Sequence, residues 1–420
     1  MIANCRSGVV IAHLSRYRWM QEAAAAASAA GILSRYYVGI HYKPDTFPYG
    51  LIRFAPGRLR SQLAARLRGR MLDNVSPEHV DDCPWIELVV HHGLRIGPFN
   101  SWISQQHRID VAHALFERHV LRTLGTTGCS ILHCCDGGVL RILHAARMRG
   151  VRTILDVPIT KRATTGDARG PRIAESEIAD LILVPTVEVF DSLVELGVSS
   201  RKIVIVPFGV DTDRFRPLSD PPAQRKFRVL FVGQIMERKG LQYLVEAFRQ
   251  LHLADAELVV VGTPMDQFGR DLLKEYARSI RWIEALPYTQ IHTCYQQADV
   301  FAFPSLAEGS ALVTYEAMAS GLASIVTRES GAVARDGIDG FVVPSRNVEA
   351  IKTALLAFYR DRSLAMEMGR AARAYVVEHF TWRHYRERIL ALYQAAIQAN
   401  GEPVDRWRSM VEEAVGKAGR

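Results

Sequence analysis

The sequence predicts an α/β protein built on two parallel sheets. Short apolar runs alternate with longer amphipathic stretches along the chain, which is the pattern of βαβ units. These runs fall into two groups separated by a polar, proline-bearing segment. The length of 420 residues also suits two domains better than one core. A composition of 48% hydrophobic and 23% charged residues is that of a globular chain, neither disordered nor membrane-spanning.

In the first group, "GVVIAHL", "SRYYVGIHY", "WIELVVHH", "CSILHCC", "VRTILDV", "ADLILVP" and "KIVIVPF" read as strands. Near its start, "AAAAASAAGIL" at 23–33 is Ala-dominated and too short to cross a bilayer, so it reads as a helix. The segment "DTDRFRPLSDPPAQRK" then interrupts regular structure with Pro217, Pro221 and Pro222. In the second group, "FRVLFVG", "AELVVVG", "IRWIEAL", "ADVFAFP", "ASIVTRE" and "GFVVPS" read as strands, and from about Val348 the pattern becomes helical. The expected organisation is a first domain over 1–210, a linker over 211–226, a second domain over 227–395 and a polar, fraying tail over 396–420.

The six cysteines show no paired CxxC spacing and fit a reducing compartment. No charged start with an apolar stretch and small-residue cleavage site is present, so a cytoplasmic location is expected. The net charge of +8 is compatible with nucleic acid, anionic lipid or a phosphorylated substrate. Only eight of the 52 basic residues are lysine, so the arginine excess does not choose among them. Neither a reading helix nor stacking aromatics supports nucleic acid.

The chemistry concentrates in "PSLAEGSALVTYEAMASG" at 304–321. Open parallel sheets bind ligands beyond the carboxyl ends of their strands. The loop after "ADVFAFPS" therefore lies at a binding edge, and the following helix aims its partially positive N-terminus there. Gly309 and Ser310 leave room for a phosphate, and Glu308 beside them can accept hydrogen bonds from sugar hydroxyls. Glu316, about 12 Å further along a helix, suits the two hydroxyls of a ribose. The same residues also read as a helix-terminal charge and a partly exposed helix position. "FVGQIMERKGLQYLVEAF" at 231–248 repeats the strand, glycine, loop and helix order, with Arg238 and Lys239 placed to neutralise a departing diphosphate. A solvated basic turn is its plainer reading.

Together with "ADLILVPTVEVFDSLVELGVSSRKIVIVPFGVDTDRFRP" at 179–217, these stretches resemble the nucleotide-sugar-dependent glycosyltransferases of family 4. The resemblance runs from about Cys129 to Tyr393 and is strongest in the second domain. It implies the GT-B fold, two facing Rossmann-like domains with a cleft between them. It also implies retention of anomeric configuration, no metal and no cofactor beyond the nucleotide diphosphate sugar. By that resemblance Glu316 would hold the ribose, Glu308 would face the donor sugar and Lys239 would contact the diphosphate. Gly233, Gln234, Gly309, Ser310 and Ala311 would line the donor site. The implied acceptor is a saccharide or a lipid-linked saccharide, in cell-surface polysaccharide or glycoconjugate synthesis.

The chain departs from that pattern at several places. Gln234 stands where an arginine is usual, and Arg238 is the candidate substitute. The usual Glu-Gly-Phe-Gly loop reads Glu308-Gly309-Ser310-Ala311, and Asp156 stands where a histidine is expected. Asp156, followed by Pro158, Lys161 and Arg162, is the first-domain candidate for contacting the donor sugar, with a turn cap as the alternative. Asp136, Gly137 and Gly138 end another strand and would line the acceptor side, or form a plain turn. These departures leave a non-catalytic subunit of the same fold as the rival reading.

The Asp pair of "DTD" at 211–213 is too short a match to assign a metal, and His107, His113 and His119 recur at a spacing that scatters them around a helix. "RFAPGRLRSQLAARLRGRML" at 53–72 carries Leu59, Leu63, Leu67 and Met71 in a stripe among arginines. Such a helix can lie on anionic lipid, each nearby cation adding about 1 kcal/mol. A stripe packed on the sheet explains it equally.

Overall fold

The computed structural model describes residues 8–15, 17–43, 46–68, 74–86, 105–125, 127–160, 171–218 and 226–418. The first domain holds β1 (Val9–His13), β2 (Leu33–Val38), β3 (Val80–Asp82), β4 (Ile131–Cys135), β5 (Arg152–Asp156), β6 (Leu181–Val184) and β7 (Ile203–Ile205). They form one sheet in the order β3-β2-β1-β4-β5-β6-β7, parallel throughout. The second domain holds β8 (Phe227–Val232), β9 (Ala256–Val261), β10 (Arg281–Ile283), β11 (Val300–Phe303), β12 (Ala323–Val326) and β13 (Gly340–Val342). Their order is β10-β9-β8-β11-β12-β13, again parallel. Both orders reverse direction next to the first strand of the sheet, which opens a crevice at its carboxyl edge.

Burial explains why these runs are continuous rather than alternating in polarity. The side chains of β1, β4 and β11 are buried along their whole length, because helices cover both faces of each sheet. The Ala-rich run is a helix, Arg18–Ala29, whose small side chains let it lie close to β1 and β2. "WIELVVHH" is not a strand where it is described: Trp85 and Ile86 sit in a helical turn, and the edge strand is the preceding Val80–Asp82. The remainder of that run lies outside the described residues, as do Lys161, Arg162, Pro221, Pro222 and residues 69–72 of the basic segment.

The end of the chain differs most from expectation. Residues 396–420 are not a fraying tail through the described part; they include the helix Val404–Ala418, in which Trp407 and Val411 are fully buried. The helix Trp382–Gln398 leaves the second domain and lies on the first sheet. Its Tyr385, Ile389, Leu392 and Tyr393 share one core with Val9, Ile11, Ile131 and Ile154. Polar average composition concealed a single apolar face at helical spacing.

The chain therefore crosses between domains twice at one hinge. Val210 donates its amide to Phe380 O at 2.9 Å, and Trp382 donates to Val210 O at 3.3 Å. A Cβ on Gly209 would stand 2.6 Å from Thr381 and Trp382 backbone atoms, so the two crossings touch only because that residue is glycine. Trp407 locks the final helix, donating its indole N–H to Ala396 O at 2.9 Å, with Arg152 of β5 5.7 Å from its ring centroid. Trp407→Ala is expected to lower unfolding stability by about 3–5 kcal/mol, the usual loss for a fully buried aromatic. Urea unfolding checks this; a change below about 1 kcal/mol would show that the last helix is dispensable to the first domain.

Candidate functional site

The site forms where the carboxyl edges of β8 and β11 carry their loops. After β8, Gly233 and Gln234 lead into a helical turn, Glu237–Lys239, which ends at Gly240 with φ of 70°. A side chain on Gly240 would meet Pro304 O at 1.9 Å. That close approach brings the two loops together, and Leu306 N and Ser305 Oγ both donate to Arg238 O, at 2.7 and 3.0 Å.

Glu308 is the centre of the arrangement. Its Oε1 accepts from Arg238 Nη1 at 2.5 Å and from Lys239 Nζ as well. Arg238 Nη1 also donates to Ala307 O at 3.0 Å. Lys239 stands 5.4 Å from the Phe303 ring centroid, and burial pushes its pKa down, opposed by the Glu308 carboxylate. A partly desolvated ammonium of this kind gains when a further anion arrives. Gln234 is exposed and ends no ion pair among the described residues.

The loop after β11 is held from both sides. The Glu308 amide donates to Glu329 O at 2.8 Å and the Ala311 amide to Ser330 O at 3.2 Å, while Thr327 Oγ1 donates to Ser305 O at 2.5 Å. Gly309 has a tighter role than a loose phosphate cradle. A Cβ there would lie 1.7 Å from Pro158 O of the first domain, and its own carbonyl accepts from Thr186 Oγ1 at 2.9 Å. Glu188 and Arg328 add an ion pair at 3.1 Å across the same junction. The helix Leu312–Ala319 starts here, and Ser310 Oγ is 3.0 Å from Tyr315 OH.

Glu316 lies on that helix and is 8% exposed. It accepts from Tyr295 OH at 2.8 Å. Burial raises its pKa to about 7, against the opposing pull of the Tyr295 hydroxyl and Arg214. Arg214 stacks 4.8 Å from the Tyr288 ring centroid. Tyr288, Tyr295 and Arg214 surround the carboxylate and carried no recognisable signal in the sequence.

The first-domain candidates separate. Asp156 does not face the cleft: it shares the face of Ile154, two residues before it, because strand side chains alternate. Its Oδ2 lies 2.9 Å from His133 Nε2, and His133 Nδ1 lies 2.6 Å from Tyr393 OH. Asp156 thus belongs to the seam beneath the crossing helix Trp382–Gln398. Asp136, Gly137 and Gly138 do lie at the sheet edge. The buried Glu175 accepts from the amides of Gly137, Gly138 and Val139 at 2.9, 2.8 and 2.7 Å. Its pKa is raised to about 7 by burial and by a hydrogen bond with Asp136. Sequence reasoning missed Glu175, which lies 36 to 38 residues beyond the amides it binds. The Asp pair at 211–213 serves its own turn, Asp211 Oδ1 accepting from Arg214 N at 3.0 Å.

Chemically, the second domain offers two cations and a helix N-terminus to an anion, and two buried carboxylates to hydroxyl donors. Comparison with known proteins falls on the same part of the chain. Residues 217–375 match the family model described as glycosyl transferases group 1. D-inositol 3-phosphate glycosyltransferase of Corynebacterium jeikeium is 32% identical over 260 residues, 54% of this chain and 62% of that protein. The GDP-mannose-dependent α-(1-6)-phosphatidylinositol monomannoside mannosyltransferase of Mycolicibacterium smegmatis is 30% identical over 220 residues, 46% of this chain and 56% of that protein. The alignments thus span under two thirds of these curated relatives' own length. Among solved structures, sucrose-phosphate synthase of Thermosynechococcus elongatus superposes with a TM-score of 0.70 at 18% identity, covering 94% of this chain and 100% of that one. Anabaena HepE, solved with UDP and glucose, gives 0.63 at 13% identity over 91% of this chain and 98% of its own. The fold is therefore GT-B, as expected: two parallel-sheet domains facing across a cleft.

Glu316 yields a prediction about pH. An unfolded chain gives up this proton near the ordinary value of 4.5, whereas the folded protein holds it to about 7. The stability that burial of the protonated form contributes is fully present below pH 4.5 and is lost as pH rises through 7. Glu316→Gln should flatten the fall in stability between pH 5 and 8 by roughly 3 kcal/mol. Denaturant melts of both proteins across that range test it; parallel curves would mean that Glu316 titrates as an exposed acid.

Proposed function

We propose that this protein is a retaining, family 4 glycosyltransferase that moves a sugar from a nucleotide diphosphate donor to a saccharide or lipid-linked acceptor. The observation that carries the reading is the meeting of Arg238 and Lys239 with Glu308 at the start of the helix that bears Glu316. The C. jeikeium and M. smegmatis relatives are named as sugar transferases, and HepE was solved with UDP and glucose, which supports a donor of this class.

In this reading the donor diphosphate takes Lys239 and Arg238 away from Glu308, and the released carboxylate accepts hydroxyls of the donor sugar. Glu316 accepts the two ribose hydroxyls. As the sugar–phosphate bond breaks, negative charge grows on the leaving phosphate beside two cations already fixed in place, so no metal and no further cofactor is required. The acceptor approaches from the face the phosphate vacates, with Asp136, Gly137 and Gly138 lining its side of the cleft. Asp156 acts at a distance, by seating the helix that crosses the hinge. Lys239→Ala is expected to lower kcat about 100-fold or more with a smaller change in KM. Donor hydrolysis and transfer, followed by nuclear magnetic resonance to read the anomer of the product, test this. Unchanged turnover in Lys239→Ala would overturn the site, and no turnover in the wild type with any nucleotide sugar would favour a non-catalytic subunit.

A peripheral place on the cytoplasmic membrane face, in cell-surface polysaccharide or glycoconjugate synthesis, belongs to the same proposal. The helix Gly57–Arg68 and the preceding turn leave Leu51, Phe54 and Leu59 exposed, at 52, 73 and 47%, while Leu67 packs beside the Ile40, Tyr42 and Tyr49 cluster. Phe47 and Trp85 stand nearby, 5.9 Å apart and exposed, over a cavity that Arg118 and Arg122 also line. Aromatic edges among arginines suit a lipid headgroup boundary. Sedimentation with phosphatidylglycerol vesicles should exceed that with phosphatidylcholine and fall several-fold in Phe47→Ser/Phe54→Ser; equal binding to both lipids would exclude this surface.

A further inference from the structure

The start of one first-domain helix grips the Glu308 loop and the turn behind it. That helix, Val187–Glu195, follows β6, and Thr186 caps it by accepting from Val189 N at 3.4 Å. A threonine hydroxyl carries one proton, and an amide can only donate to it. The proton therefore goes to the other partner within reach, Gly309 O at 2.9 Å. Thr186 and Gly309 are both buried, and a buried carbonyl that loses its donor costs more than an ordinary hydrogen bond contributes. Two residues on, Glu188 pairs with Arg328 at 3.1 Å. Arg328 begins the turn Arg328–Ser330, in which the Glu329 and Ser330 carbonyls accept the amides of Glu308 and Ala311. A Cβ on Gly331, which ends that turn at φ of 60°, would stand 2.0 Å from Gly309 O. Loop and turn are thus packed as one piece, with Thr186 holding the loop and Glu188 the turn.

We propose that Thr186 is a positioning residue for Glu308: through the Gly309 carbonyl, the first domain holds the backbone that aims the Glu308 carboxylate, and the Glu188–Arg328 pair supports it from outside. This rests on the reading of Glu308 as the group that meets the donor sugar. Once a diphosphate has drawn Arg238 and Lys239 away, the direction of the carboxylate depends on its own backbone. That backbone is tied to the first domain one residue later, at Gly309. A donor held by the second domain alone lacks this restraint, so the acceptor-side domain completes the donor site. Both hydrogen bonds of the Thr186 hydroxyl are spent on protein partners, and it acts through Glu308 rather than on the substrate.

The test takes two readouts from the full chain. Amide hydrogen exchange over residues 305–311, followed by mass spectrometry, needs no donor. Thr186→Val should speed it about fivefold or more, the consequence of leaving a buried carbonyl unsatisfied, while the helix Leu241–Gln250 exchanges as in the wild type. Thr186→Ser keeps the hydroxyl and should restore the wild-type rate. The second readout is turnover of UDP-glucose, GDP-mannose or ADP-glucose. With the donor that the wild type uses, Thr186→Val should lower kcat about fivefold or more with a smaller change in KM, and Thr186→Ser should recover it. A merely structural role would lower Tm without that split. If Thr186→Val does not fold, Arg328→Glu is the second variant, since the Arg328 side chain is 70% exposed. It sets two carboxylates at the junction and should speed exchange over 305–311 about twofold, and adding Glu188→Arg should reverse this. Unchanged exchange over 305–311 in the variant that folds overturns the positioning role, and so does faster exchange with unaltered kcat. If the wild type turns over no nucleotide sugar, the proposed function fails, and the exchange rates still decide whether Thr186 holds the loop.

Discussion

The candidate site depends on one carboxylate, Glu308, shared by two cations that arrive from a different strand. Arg238 and Lys239 are fixed after β8 and Glu308 after β11, and these strands are neighbours in the sheet. Without Glu308, two positive side chains a residue apart would stand partly buried with no counter-charge, which is strongly unfavourable. One carboxylate at this position offsets part of that charge and leaves the cluster net positive. In the proposed reaction an anion of higher charge displaces it, and the displacement uncovers a hydrogen-bond acceptor for the donor sugar.

Glycines make that ion cluster geometrically possible. Gly240 lets the first loop close on Pro304, and Gly309 lets the second loop press against Pro158 across the domain boundary. The contact at Gly309, with Thr186 beside it, makes the Glu308 loop part of the domain junction. The hinge opposite is built from another close approach, at Gly209, and from the crossing helix anchored by Tyr393 on His133.

Most of the fold was legible because buried parallel strands leave unmistakable apolar runs. All six expected strands of the second sheet and six of seven in the first coincide with real ones. The strand reading fails where that run is described, at Trp85 and Ile86, because an apolar run looks like a strand whether it turns or extends, while the edge strand Val80–Asp82 is short and carries two aspartates. The final helix was misread because Trp407, Val411 and Val415 are diluted by charges on its outer face. In the site, loop position and charge pointed to Glu308, Lys239 and Arg238, and the fold brings their side chains together. Asp156 was misplaced because its position at a strand end says nothing of which face it takes; counting in twos from Ile154 would have found it. Tyr295, Thr186 and Glu175 were invisible, since their partners are distant in sequence and brought close only by the fold.

In the proposed reaction Lys239 and Arg238 are the contacts of the donor diphosphate. Calorimetric titration of UDP, GDP and ADP, each compared with its parent nucleoside, tests it most directly on the wild type and on Lys239→Met. One diphosphate should bind at least about 100-fold more tightly than its nucleoside, a difference of roughly 2.7 kcal/mol, and most of this advantage should disappear in the variant. A diphosphate that binds no better than its nucleoside, or equally well to both proteins, would contradict it.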